Sequence, residues 1–357
     1  MWRDRPCPRG RLRKARLVPY LRSGEANGLA LLMEHRERVE AAFRHRVPDR
    51  TPIFEYVLHP PVASDIVGTD FIDYTDDSLG WIERAKAVGW HEELERYVND
   101  RLDLALKLDH DMLYACPCPT PRILEQREIA RKEQHTEMLD GDPVQRVVDR
   151  NAAAKSRGVA IDEDSLMVYH LLNSKMERRG LDLPMLAPAY AHGVWTDSDV
   201  MQTMALAPDV AFEHFAIATE ESLARIDEYI NLGVTLLGVG GDFAGKRPMV
   251  SPTMYGNFIV PEIRKCSRAI HEAGCWAVNA SDGDLWSVID EFLLGCDVDG
   301  YLEIDMFAGM DLSRLKTRFG DKITFLGNMD CGNVLSFNSP EEIARITVEI
   351  IEAGSGN

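Results

Sequence analysis

Apolar and polar positions settle into a regular alternation of elements from Met33 onward. Residues 33–45 put Val39, Ala42 and Phe43 on one helical face, and Pro48 stops the helix. Pro52–Leu58 reads as a first strand, 92–108 as a helix and Met112–Ala115 as a short strand. Residues 122–148 alternate apolar with polar around Asp140-Gly141-Asp142-Pro143, which predicts a β-hairpin excursion. Helix returns over 163–179, and Pro184–Tyr190 follows as a strand. A long amphipathic helix runs from near Pro208 to Gly233, ahead of the apolar strand Val234–Val239. Ser251-Pro252 opens a helical stretch to Gly274 with a break expected at Pro261. The remaining strands are Cys275–Ala280, Val298–Ile304 and Lys322–Gly327, separated by helices at 284–294 and 311–319. Ser339-Pro340-Glu341-Glu342 is a capping box for a last helix that ends at Gly354.

Strands and helices that alternate in this way imply a parallel sheet covered by helices. Seven units, with no dinucleotide fingerprint after the first strand, predict an α/β chain folded as a TIM (β/α)8 barrel. Strand eight is expected to be missing at the C-terminus, because the chain stops three residues after Gly354. Residues 1–32 stand apart as a basic, disordered tail before a barrel domain spanning 33–357.

Charge sharpens this division. The formal charge is −18, yet the first 22 residues hold eight Arg/Lys against one Asp, so the rest carries about −25. A body this acidic repels phosphate backbones, which argues against nucleic acid. No apolar run is long enough to span a membrane. Seven cysteines without a CxxC pair point to a reducing cytoplasm, and Cys116-Pro117-Cys118 reads as structural. Gly240–Lys246 fits GxxxxGK, but Arg247 stands where Ser or Thr would hold magnesium, so neither ATP nor NAD is called for.

Barrel chemistry gathers at the C-terminal ends of strands. By that rule the candidates are Glu55, Tyr56 and His59, then Tyr190 and His192, then Asp242. Asn279, Ser281 and Asp282 follow, with Asp305, Asn328, Asp330 and Cys331 completing the rim. Such a rim of carboxylates, imidazoles and a thiol suits a metal such as zinc, or shared protons. Asp284 is better explained as a helix cap, and His110, His135 and His214 lie outside the rim. Tyr56, Trp195 and Phe243 are expected to line a flat pocket.

At these loops the chain resembles the uroporphyrinogen decarboxylase superfamily. The likeness begins with RERVEAAFRHRVPDRTPIF (36–54) and continues through GGDFA and PMVSPTMYGNFIVP (240–261). SDGDLWSVIDEFLLGCDVDGYLEID (281–305), AGMDLSRLKTRFGDKITFLGNMDCGNVL (308–335) and SPEEI (339–343) complete it. The resemblance implies a TIM barrel and one of two chemistries. Decarboxylases of the family carry arginines after the first strand; here that stretch is EYVLHP (55–60), with none. The corrinoid-linked methyltransferase branch is the closer likeness, although its His-x-Cys zinc ligands are replaced by Ala280 and Asp282. The resemblance thus implies a small methylated substrate in the barrel mouth and a corrinoid carried by a partner protein. Asp242, Asp282 and His192 would be catalytic, and Asp282, Asp305 and Cys331 would hold the metal. Glu55, Tyr56, His59, Asn279, Ser281 and Asn328 would bind substrate. Decarboxylation, supported by cations such as Lys246 or Arg247 in the mouth, and an inactive binding protein stay open as alternatives.

Overall fold

The computed structural model describes residues 33–354 except 76, 128 and 130–140. The tail at 1–32 lies outside the described residues. Among the described residues six parallel strands pair in chain order: β1 (Leu113–Tyr114), β2 (Met185–Ala191), β3 (Leu236–Gly240), β4 (Trp276–Ala280), β5 (Gly300–Leu302) and β6 (Thr324–Leu326). Helices separate them, as βα alternation requires.

The sheet curls. Side chains from across it meet in one inner cluster: Met112, Leu186, Leu236, Val278 and Leu302, with Leu326, Phe54, Tyr56 and Tyr114 packed against them. Residues from both ends of an open flat sheet could not touch the same core, so the architecture is a partial TIM barrel. The larger apolar cluster fills the layer between strands and outer helices. Helix α1 (His35–Phe43) seals one end. Its Val39 and Phe43 join the inner cluster, and Phe43 meets the Trp276 ring at 5.3 Å. A Cβ on Gly300 would lie 3.2 Å from Phe43, so a glycine begins β5 beneath this plug. Trp276, Gly300 and Thr324 are the first residues of their strands, so α1 closes the N-terminal end and the mouth lies opposite.

Three expectations change. Pro52–Leu58 is extended, with Phe54 and Tyr56 turned inward, but it forms no ladder. Asp111 N–H donates to Ile53 O at 2.7 Å, while the Ile53 amide is taken by the Asp111 carboxylate at 2.8 Å. Beyond that point a cleft lined by Glu55, Leu58, Arg101 and His110 separates the segment from β1. The hairpin over 122–148 is replaced by helix at both described ends, 121–127 and Pro143–Arg157. Asp142-Pro143 is helix-start chemistry: the Asp142 carboxylate caps the Val144 amide at 2.9 Å and proline takes the first turn. Pro261 does not break its helix. A wide turn at Tyr255–Ile259 leads directly into Val260–Glu272, so the missing proline N–H falls where the bonding pattern shifts.

Candidate functional site

Asp242, Asp282 and a residue the sequence reading passed over, Glu303, meet at the mouth. Gly240 and Gly241, both with positive φ, turn the chain out of β3 to present Asp242. A Cβ on Gly240 would fall 1.9 Å from Asn279 Oδ1, so only glycine lets β3 and β4 end side by side. The Asp282 amide donates to Asp242 Oδ1 at 3.0 Å, tying the two loops together. Glu303 follows β5 with φ +68°, a left-handed turn in a residue that rarely adopts one. The sequence pattern carries the strand on to Ile304 and so places Glu303 inside it; the strand ends at Leu302, and the strand-end rule then finds Glu303.

Electrostatics set these carboxyls apart. Asp282 stays open to the mouth, yet burial by the surrounding walls and repulsion from Asp242, Asp305 and Asp330 push it up to about 6. Burial, then Asp242 and Asp282, push Glu303 up to about 7. Among the described residues the charges that raise the pair are carboxylates: Asp242, Asp305 and Asp330 on Asp282, and Asp242 and Asp282 on Glu303. Lys246 and Arg247, the cations a carboxylate substrate would need, are exposed in the loop after β3 and act on neither. Tyr56 forms an aromatic wall, its ring 4.1 Å from that of Tyr114; burial chiefly raises its hydroxyl, and the nearby Glu303 and Asp242 add to the rise.

A carboxyl whose folded value lies above its unfolded value of about 4.3 stabilises the fold while protonated and loses that contribution as pH rises. For Glu303 the loss falls between the ordinary glutamate value and about 7. Glu303→Gln is therefore expected to raise the thermal midpoint at pH 8 by about 2 °C, roughly 1 kcal/mol for a large domain. At pH 5 the two proteins should melt together in a calorimetric scan; a lower midpoint at pH 8 would contradict the repulsion.

Other rim expectations resolve differently. Asn279 is wholly buried: its Nδ2 donates to Phe292 O at 3.0 Å and its Oδ1 accepts from the Ala280 amide at 3.0 Å. Ser281, also buried, donates to Asp282 O at 3.0 Å and receives the Phe243 amide at 3.4 Å. Both are spent inside the fold rather than offered to substrate. His192 is buried beneath Gly241, with Nδ1 accepting the Val194 amide at 3.2 Å, which leaves its proton on Nε2. Burial lowers its imidazole to about 4, so it is a neutral packing group and not the expected acid or base. Glu55 points away from the mouth, because Phe54 and Tyr56 take the inward positions. His59 is exposed at the start of helix Pro60–Val67, Asn328 is buried after β6 and Cys331 is exposed. Phe243 is sealed in a stack with Tyr255 at 4.5 Å and lines no pocket, while Trp195 is exposed on the rim.

Asp305 accepts from the Phe307 and Ala308 amides, both at 2.9 Å, and Asp330 caps the turn at Cys331–Leu335. Asp284 caps the Trp286 amide, as expected. Among the described residues no three His, Cys, Asp or Glu side chains could hold a metal ion together. Asp282, Asp305 and Cys331 form no such group, and Asp305 is engaged by the amides of its own loop. Among the described residues no disulfide joins Cys116, Cys118, Cys266, Cys275, Cys296 or Cys331. No described helix is long and apolar enough to cross a membrane.

Residues 185–357 match the family model for uroporphyrinogen decarboxylase (URO-D). A solved methyltransferase from Methanosarcina mazei is similar in structure, with TM-score 0.59, 14% identity and 90% of each chain covered. At that identity the likeness establishes the fold. No curated protein matches the chain in sequence.

Proposed function

Over residues 185–357 the chain belongs to the uroporphyrinogen decarboxylase superfamily, and from that membership we propose a methyltransferase-like enzyme acting on a small, neutral methyl ether or thioether. The observation that carries this reading is the Asp282–Glu303 pair, two carboxyls held up to about 6 and about 7 in a mouth whose other charges are negative. Such a pair retains a proton near neutral pH.

Demethylating an ether breaks a C–O bond. The methyl passes to the acceptor nucleophile, the bonding electrons stay on oxygen, and that oxygen needs a proton. A protonated carboxyl at the mouth supplies it, and Asp242, fixed by the Asp282 amide, holds the two loops at working distance. In the reverse direction the ionised pair takes the proton from a hydroxyl or thiol as it is methylated. The acceptor would be a corrinoid, written here as a second substrate carried by a partner protein. A solved protein of like fold is a methyltransferase, which is consistent with methyl transfer at this mouth. The cluster of carboxyls at Asp242, Asp282 and Glu303 opposes a polycarboxylate tetrapyrrole, whose recognition suits bidentate guanidinium groups.

The test supplies purified protein with free cob(I)alamin and a panel of methyl ethers and thioethers, following methylcobalamin by absorbance. Methylation of cobalt, slowing above about pH 7 as the pair ionises, is expected. Carbon dioxide release from uroporphyrinogen without cobalt methylation would replace this reading by decarboxylation.

A further inference from the structure

The turn that carries Asp282 out of β4 is fastened to the loops on both sides of it. Toward the loop after β3, the Asp282 amide donates to Asp242 Oδ1 at 3.0 Å and the Asp284 amide to Gly245 O at 2.9 Å. Gly283, with φ +88°, permits that approach, since a Cβ there would fall 2.4 Å from Gly245 O. Toward the loop after β5 the fastening is Trp286. Its indole Nε1 donates to Gly309 O at 2.9 Å, and the adjacent Leu285 amide donates to Met310 Sδ at 3.3 Å. The guanidinium of Arg314, on helix Leu312–Phe319, lies 3.7 Å from the centre of the same indole ring. The loop after β5 is also closed on itself, with the Met310 amide donating to Asp305 O at 3.1 Å. A hold at Gly309 is thereby passed back to Glu303, two residues before Asp305.

We infer that Trp286 is a positioning residue, which staples the loop after β5 to the turn after β4 and so keeps Glu303 facing Asp282. The inference rests on the reading that this pair moves the proton of the reaction. Two carboxyls repel one another, so left to themselves their loops would part. Coulomb coupling weakens with distance and with the water that enters between the groups, and a held spacing preserves it. The ionisable groups around Glu303 are Asp242 and Asp282 on the neighbouring loops, Asp305 on its own, and the Tyr56 and Tyr301 hydroxyls that it helps to raise. Releasing the staple moves Glu303 away from the first two, the carboxylates that act on it most directly.

Two substitutions test this. Trp286→Phe keeps an aromatic face for Arg314 and loses the indole N–H, whereas Trp286→Leu loses both. Trp286 is only half-buried, so both proteins are expected to fold, and a thermal melt checks it. Each is compared with wild type by infrared titration of its carboxyls and by methyl transfer from methyl ethers to free cob(I)alamin. The wild-type midpoint near 7 should move down toward the ordinary glutamate value of about 4.3, further in Trp286→Leu than in Trp286→Phe. In Trp286→Leu, kcat should fall about 10-fold or more with KM little changed, the mark of misplaced groups rather than lost binding. A folded Trp286→Leu protein that keeps the wild-type midpoint, or whose KM rises while kcat holds, would overturn the inference. If Trp286→Leu does not fold, an unmoved midpoint in Trp286→Phe does so in its place. A wild-type protein with no midpoint near 7 instead sinks the reading beneath it, so the two failures are told apart.

Discussion

Asp111→Asn is expected to destabilise the folded chain by about 3–5 kcal/mol, the cost of breaking a buried ion cluster from one side. Asp111 is fully buried at the closed end of the barrel. Its carboxylate accepts from Arg38, from Arg50 at 2.6 Å, from His35 at 2.9 Å and from the Ile53 amide at 2.8 Å. Burial alone would raise this carboxyl; the hydrogen bonds from His35, Ile53 and Arg38, with the charge of Arg38, outweigh it and hold it at about 2. Arg38 is itself buried and would keep only Asp49 as a counter-charge. Because the folded value is depressed, the stabilisation is present above the unfolded value and is lost as pH falls toward about 2. Urea unfolding at pH 7 should show the deficit, and the gap between wild type and variant should narrow below pH 4. A difference under about 1 kcal/mol would mean that the cluster is replaceable.

Asp282→Asn is expected to lower kcat for demethylation by about 10²- to 10⁴-fold, with KM little changed, because an amide cannot give up an acidic proton. The effect reaches its partner too. Glu303 is raised in part by the Asp282 charge, so losing that charge should move the residual pH limb below the wild-type value of about 7. Glu303→Gln should likewise remove the limb near 7 and leave one nearer the ordinary carboxylate range. Unchanged kcat in both variants would take the proton out of the mouth altogether.

The fold was largely legible because apolar runs such as Val234–Val239 admit one reading between helices capped by Ser251 or Ser339. The first strand was misread because alternation in PIFEYVL fixes which face is buried but says nothing about main-chain partners. Those depend on Asp111, which takes the Ile53 amide for itself. Asp142-Pro143 carries the same residues in a turn and in a helix cap, and only the buried Val147 and Asn151 of the following helix decide between them. The strand-end rule placed Asp242 and Asp282 at the mouth, where the structure also has them. It could not separate them from Asn279 and Ser281, whose polar atoms are satisfied by residues far along the chain. Glu303 was hidden by a strand boundary placed two residues late. The charged block 36–54, read in the sequence as resembling the family's opening helix and first strand, acts at the opposite end from the proposed chemistry: its Arg38, Asp49 and Arg50 clamp α1 to the sheet through Asp111.

The central claim is that the mouth keeps a carboxyl protonated at neutral pH, and infrared difference titration between pH 4 and 9 tests it most directly. Wild-type protein should lose protonated-carboxyl absorbance with midpoints near 6 and 7, and the Asp282→Asn/Glu303→Gln double variant should lose that signal. A wild-type spectrum with every carboxyl ionised by pH 5 would contradict the account.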